Sequence, residues 1–229
     1  MRIHRAYLTD GAREAVGVAI VIDVFRACSV MAHALAAGAR RVIPVAGVDE
    51  ARALKREQPD WLLIGERHAR RLPGFDAGNS PTEVLELPLE GATLIHTTHA
   101  GTQGLTAAAN RHLFTGAFVN HAATVRAVWA LAPDDVTIVA MGHQARERSL
   151  EDDLCADLFE ARLSGQEMDT RDFAARLRLA PAAAKFFDPA ADWAPQADFA
   201  CCTALDSIDI AVRRRRDPAL RDRWVLERA

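Results

Sequence analysis

Two rhythms alternate along this chain. Short runs rich in Val and Ile occur at 17–24 (GVAIVIDV), 41–45 (RVIPV), 61–65 (WLLIG), 92–97 (ATLIHT), 112–118 (HLFTGAF) and 135–141 (DVTIVAM). Between them lie stretches of helical period: VMAHALAAGA, VDEARALKREQ, GTQGLTAAAN, NHAATVRAVWAL and LEDDLCADLFEARL. Continuously apolar strands suit a sheet buried on both faces, and intervening helices supply the crossovers that parallel strands require. The pattern predicts an α/β fold, a three-layer α/β/α arrangement with a mainly parallel, mixed central sheet. No repeat or linker divides the chain, so one domain is expected over 1–229.

Local signals place the element ends. Ser29 is expected to cap the first helix, Gly38 to end it in a left-handed conformation, and Pro59 to stop the second. Ser80, Pro81 and Glu83 read as an ordinary helix start. Towards the C-terminus, AARLRLAPAAAKFF is expected to be helical, and DFACCTALDSIDIAV to form a helix and then a strand at an edge of the same sheet. The run RRRRD at 213–217 reads as a solvated edge, an anchor for nearby acids, or a phosphate contact.

With 229 residues, 50% of them hydrophobic, the chain can bury a substantial core. A net charge of -3 and a pI near 6.2 argue against a nucleic-acid partner. The N-terminus lacks the apolar stretch of a signal peptide and no run reaches the ~18 residues of a membrane span, so no membrane partner and a cytoplasmic location are expected. Cys28, Cys155, Cys201 and Cys202 show neither CxxC nor zinc spacing, and reduced thiols follow.

Ligands of open α/β sheets bind beyond the carboxyl ends of the strands. Polar residues that directly follow apolar runs are therefore the candidates: DVFRACS, GER with GFDAGNSP, TTHAGT and GHQARERSLED. These would bring Asp23, Arg26, Glu66, Arg67, Asp76, Asn79, Ser80, Thr98, Thr102, Glu151 and Asp152 to one rim. Asp23 ends an apolar strand, and a carboxylate buried there must be paired, hydrogen-bonded or on a metal. Carboxylates with amide and hydroxyl oxygens, and no His/Cys cluster, suit Mg²⁺ with some waters retained. Arginines and helix N-termini suit an anion. Together they point to a phosphorylated substrate bridged by the metal.

Several phosphate signatures are absent. There is no GxxxxGK[ST] and no strand followed by GxGxxG; DxDxT would need an acid at Phe25, and C-x₅-R fails at every cysteine. RHARRLP at 67–73 differs from the histidine-phosphatase pattern RHGxRxP only at Ala69, which makes His68 a candidate nucleophile, although no histidine precedes an aspartate.

Taken together, IVIDVFRACS, GER…GFDAGNSPTE, THAGT and LEDDLCAD, in this order and spacing, resemble the 2-phosphosulfolactate phosphatase family. The resemblance covers most of 18–163, with a looser echo in DFACCTALDSIDIAV. It implies a magnesium-dependent phosphatase that cleaves (R)-2-phospho-3-sulfolactate to sulfolactate and phosphate on the route to coenzyme M. The substrate would be a small phosphorylated hydroxyacid or sulfonate, and a homodimer is the common assembly of such soluble enzymes. In this reading Asp23, Arg26, Glu66 and Arg67 are catalytic. Ser29, Asn79, Ser80, Thr98, Gly101 and Thr102 bind substrate, and Asp23, Asp76, Glu151 and Asp152 bind metal. Arg26 or Arg67 would clamp the phosphoryl group, with water or Asp23 as nucleophile. Three departures stand out: Cys28 replaces a usual threonine, TTHAGT replaces TTNGT so that Ala100 beside His99 replaces an asparagine, and Asp157 replaces a glycine. They motivate a rival reading, a non-catalytic anion-binding or sensor homologue.

Overall fold

All six Val/Ile-rich runs form strands. In the computed structural model, which describes residues 1–229, the order is β1 (Arg2–Tyr7), α1 (Leu8–Glu14), β2 (Val18–Ile22), α2 (Ala27–Ala36), β3 (Arg41–Pro44), α3 (Val48–Glu57), β4 (Leu62–Arg67) and β5 (Arg70–Arg71). Next come α4 (Pro81–Leu85), β6 (Thr93–Thr97), α5 (Gly101–Ala107), β7 (Leu113–Gly116), α6 (His121–Ala130), β8 (Asp135–Ala140) and α7 (Leu150–Leu163). The chain ends with α8 (Phe173–Arg178), a 3₁₀ turn at Pro181–Phe186, α9 (Gln196–Thr203), β9 (Val212–Asp217) and β10 (Arg223–Arg228).

Two parallel blocks make up most of the sheet. One is β1-β8-β2-β7 and the other is β3-β6-β4. The β9-β10 hairpin joins them, antiparallel to β7 on one side and to β3 on the other. Helices cover both faces, giving the three-layer α/β/α class. Every residue of β2 is buried: Ala19 and Val21 pack with α2 and α5, while Ile20 and Ile22 pack with α6 and α7. On the other block α3 covers Ile43, Leu63 and Ile95.

The sheet is strongly curved, and this is what makes a site. Strands β7, β9, β10 and β3 lie between β2 and β6, so a flat sheet would hold those two roughly 24 Å apart. Yet Asp23, just after β2, lies against the backbone of Gly101, just after β6. The sheet wraps around α2 and α5 until these carboxyl ends meet. Gly101 permits the approach: a Cβ there would stand 2.7 Å from Ala27 Cβ and 2.8 Å from Asp23 Oδ2.

Several expectations are corrected. The strand β1 carries polar residues because it lies at the sheet edge, where Arg2 and His4 both bond Asp135 of β8. The arginine run is no solvated edge: it is β9, in the middle of the sheet. The segment DFACCTALDSIDIAV supplies α9 but only the first residue of β9. Pro181 splits AARLRLAPAAAKFF into α8 and the 3₁₀ turn. The first helix begins at Ala27, so Ser29 is inside it and donates to the Val24 carbonyl instead of capping. Gly38, at φ 106°, follows that helix as expected.

Alternation explains how arginines occupy a central strand. Arg214 is 2% exposed and donates to the carbonyls of Leu105, Ala108 and Asn110, where α5 ends. Arg214 and Arg216 both stack on Trp224, each guanidinium carbon 3.8 Å from the ring centroid. Arg213 and Arg215 sit on the opposite face and pair with Glu227. Arg41 and Asp217 form a buried ion pair between β3 and β9. All four cysteines are free thiols, and no helix is long and apolar enough to cross a membrane.

Replacing Arg214 by Ala orphans three carbonyls and opens a cavity, so Arg214→Ala is expected to lower the unfolding free energy by about 3 kcal/mol. Arg215→Ala, which removes an exposed pair, is expected to change it by under ~0.5 kcal/mol. Urea midpoints for both variants check this.

Candidate active site

Beyond the carboxyl ends of β2, β4, β6 and β8 lies a cleft of about 310 Å³. Four buried carboxylates line it: Asp23, Glu66, Glu151 and Asp152. Its walls come from Phe25 and Arg26 after β2, His68 and Ala69 after β4, and Asn79 before α4. His99 and Ala100 after β6 and Gly142 to Gln144 after β8 complete them, and Pro181, Ala182, Lys185 and Trp193 close the cleft from the C-terminal segment.

The four carboxylates divide by their partners. Glu66 accepts from the backbone N–H of Ala69 (2.7 Å) and of His99 (2.8 Å), stapling the β4 loop to the β6 loop. Asp152 does the same for β2 and β8, accepting from Val24 N (2.8 Å) and Gly142 N (2.8 Å). Gly142 is held at φ 66°, where a Cβ would collide with the Glu147 carbonyl at 2.0 Å. Asp23 accepts from Ala27 N (3.2 Å), and the Gly101 backbone lies close by and favours its charged form. Glu151 differs: its buried Oε2 makes no hydrogen bond of normal geometry, although the Ser149 hydroxyl and its own backbone N–H lie close enough to favour its charged form.

Burial leaves three of these acids, Asp23, Glu151 and Asp152, reluctant to ionise. Desolvation is the main cause that raises Asp23 to about 6, and nearby Glu66 adds to it. It also raises Asp152 well above the usual carboxylate range, helped by Glu151 and Asp23, and raises Glu151 too.

The other expected residues separate into those the fold delivers to the cleft and those it does not. Asn79 lines the cleft, with its Oδ1 3.1 Å from Nε2 of the buried His96, which burial lowers to about 3. Gly101 contributes its backbone N–H. Arg26 reaches the cleft wall but is spent on Asp198 (2.5 Å) and on the carbonyls of Trp193 and Ala69. Arg67 donates to the carbonyls of Glu66 and Ala46 and to Thr97 Oγ1, outside the cleft. Asp76 is exposed and ties its own loop to Leu63 N and Lys55, so it is not among the cleft acids. Ser29 bonds the Val24 carbonyl, and Thr98 and Thr102 bond each other across the start of α5. Ser80 caps α4 through Glu83 N and donates to Asp198.

Two groups were not foreseen. Asp198, fully buried on α9, gathers Arg26, Ser80 Oγ (2.9 Å), Thr82 N (3.1 Å) and Thr82 Oγ1 (2.7 Å). It thereby locks the C-terminal segment over the cleft. An isolated acid inside the apolar DFACC was its signal. His99 is the second: its Nδ1 accepts from His68 N (3.2 Å), which leaves the proton of a neutral ring on Nε2. Burial holds that ring below its usual pKa.

The departures from the family pattern fall unevenly. Cys28 is buried with its thiol on the Val21 carbonyl, and Asp157 is exposed beside Arg5 (3.0 Å). Only His99 and Ala100 stand in the cleft. As the side chains lie, no three acid, His or Cys groups clasp a common point. The donor set is nonetheless the oxygen-only kind that a hard divalent cation uses with waters, and the unpartnered Glu151 oxygen is a ready ligand.

The model of the family described as 2-phosphosulpholactate phosphatase matches residues 4–215. A probable 2-phosphosulfolactate phosphatase of Thermotoga petrophila is 37% identical over 150 residues, which is 66% of this chain and 64% of that protein. One from Caldicellulosiruptor saccharolyticus is 38% identical over 146 residues, 62% of this chain and 60% of the relative. Another, from Bacillus subtilis, is 33% identical over 201 residues, 86% of this chain and 87% of its partner in the comparison. The chain thus spans less than two thirds of the first two proteins and most of the third. With a match across nearly its whole length, on top of the motifs that line the cleft, the chain belongs to the 2-phosphosulpholactate phosphatase family.

Proposed function

We propose that this protein is a Mg²⁺-dependent phosphomonoester hydrolase acting on a small phosphorylated hydroxyacid of the 2-phosphosulfolactate type. The observation that carries the reading is the meeting of four buried carboxylates, one with an unpartnered oxygen, in a cleft of about 310 Å³. That volume is at the small end of ligand sites and suits a compact substrate. Family membership supports phosphate-ester chemistry.

Asp23, Asp152 and Glu151 would hold the metal, whose contribution is to neutralise charge on the phosphoryl oxygens. Asp23 accepts from the Ala27 backbone and lies against Gly101, which confines this carboxylate and favours attack by water. Glu66, fixed by two N–H bonds, would hold the His99 loop in place. The Nε2–H of His99 offers a donor where relatives with TTNGT offer an amide. Two of the three departures lie outside the cleft, which favours catalysis over a sensor role.

Phosphate release from 2-phosphosulfolactate or phospholactate is expected to require Mg²⁺ and to stop with EDTA. Asp23→Asn should lower kcat/KM by roughly 10²–10³-fold, while His68→Ala retains metal-dependent turnover. Metal-independent activity lost in His68→Ala would overturn the reading in favour of a histidine phosphatase. Tight Mg²⁺-dependent phosphate binding with no turnover of any phosphorylated hydroxyacid would favour the sensor.

A metal ligand must be deprotonated, and burial raises Asp23 to about 6. Protons therefore compete as pH falls, and Mg²⁺ affinity should drop by at least about tenfold per pH unit below that value, since Glu151 and Asp152 are raised as well. Calorimetric titration with Mg²⁺ between neutral and acidic pH measures it.

A further inference from the structure

A phosphoryl group needs positive charge, and most of the cleft's is already committed. Arg26 serves Asp198 and two carbonyls. Lys185, in contrast, feels only longer-range charges: Glu151 and Asp23 attract it, Arg26 repels it, and no hydrogen bond or ion pair holds it. Burial and Arg26 lower its pKa, while Glu151 opposes the fall.

The fold holds this ammonium in place. Lys185 belongs to the 3₁₀ turn Pro181–Phe186, whose Ala183 and Phe186 are buried with Ala180, Ala191 and Ala194. Phe186 packs edge-on against Phe25, centroids 5.1 Å apart, so the turn sits directly on the loop that carries Asp23 and Arg26. The ammonium lies 5.0 Å from the Phe186 ring centroid and 6.0 Å from that of Phe25. The two aromatic rings thus flank an ammonium that lines a cleft of acids.

Composition adds an independent reason. The chain has 28 basic Lys and Arg residues, and only Lys55 and Lys185 are lysines. Lys55 bonds the Trp61 carbonyl and Asp76. Where arginine is otherwise the rule, a compact point charge at 185 suits a confined anion better than a planar fork.

We propose that Lys185 binds the phosphoryl group in the cleft, its ammonium meeting the oxygens turned away from Asp23 and Glu151. The proposal rests on the phosphatase reading for the identity of the substrate, and on the cleft itself for the anion site.

The test is calorimetric titration of the full chain with inorganic phosphate in the presence of Mg²⁺, for wild type, Lys185→Met and Lys185→Arg. Lys185→Met keeps an apolar stem of similar length beside Phe25 and Phe186, and its melting temperature checks folding. Lys185→Met should weaken phosphate binding by about 10- to 100-fold, the worth of a charge-assisted hydrogen bond. Lys185→Arg should recover most of the loss, and Mg²⁺ binding without phosphate should be unchanged or tighter. In steady-state assays Lys185→Met should raise KM for the phosphorylated hydroxyacid. Unchanged phosphate affinity in Lys185→Met, or no phosphate binding by the wild type at millimolar concentration, overturns the proposal. So does a variant that loses methanesulfonate binding but keeps phosphate, which would assign the lysine to the other end of the substrate. Lys185-dependent phosphate binding by a wild type that hydrolyses no phosphate ester would uphold the proposal and remove the phosphatase reading.

Discussion

Negative charge at the ends of parallel strands is the constraint around which this molecule is arranged. A carboxylate taken from water must find donors or a cation. Glu66 and Asp152 find backbone N–H groups on neighbouring loops, so each ties two strand ends together, although burial still holds Asp152 well above the usual carboxylate range. Asp23 and Glu151 are less well satisfied. The rise of Asp23 from 3.8 to about 6 corresponds to roughly 3 kcal/mol against the ionised, metal-free form. The raised value means the folded state binds more protons than the unfolded one. The penalty is therefore absent below the unfolded pKa, grows between the two values and is complete above about 6. A bound cation would relieve it, so under the proposed function the features that weaken the empty fold are also those that would favour a metal.

Curvature supplies the rest. Asp23, Glu151 and Asp152 follow strands of one parallel block, while Glu66 ends a strand of the other and Asn79 and His99 follow its strands. Neither block contains a site, and only the wrapping of the sheet around α2 and α5 makes one. The Arg26–Asp198 ion pair then brings the C-terminal segment across the opening. Removing one partner would leave a buried charge unanswered, the costly way to break such a pair. With Ser80 and Thr82 also on Asp198, four groups from two loops depend on one carboxylate.

Much of this was legible in the chain. The six apolar strands announced themselves because both faces are buried, and the acids at their ends were found because the carboxyl edge is where such sheets bind ligands. Asp76 was misread because its sequence neighbours do not reveal that its own loop folds back to give it Leu63 N. Arg26 was seen as a free clamp, since its partner lies 172 positions away. The strand β9 was hidden by its arginines: half of them cover one face and pair with Glu227, and the other half are satisfied by carbonyls and Trp224. Periodicity of hydrophobicity cannot register a strand whose buried residue is charged. Lys185 carries no signal of its own in the run AARLRLAPAAAKFF, because its place in the cleft depends on Pro181 ending α8 and starting a 3₁₀ turn.

The placement of the β9-β10 hairpin bears on how the molecule is made. Residues 212–228 are the bridge between two blocks whose other strands all precede them in the chain. On the ribosome those blocks can each gain local order, yet they cannot be sewn together until the bridging hairpin has left the exit tunnel. Closure is thus a late event dominated by distant pairings, the class of topology that folds slowly and leaves strand edges open meanwhile. Until it closes, the nascent protein carries unguarded edges on β7 and β3.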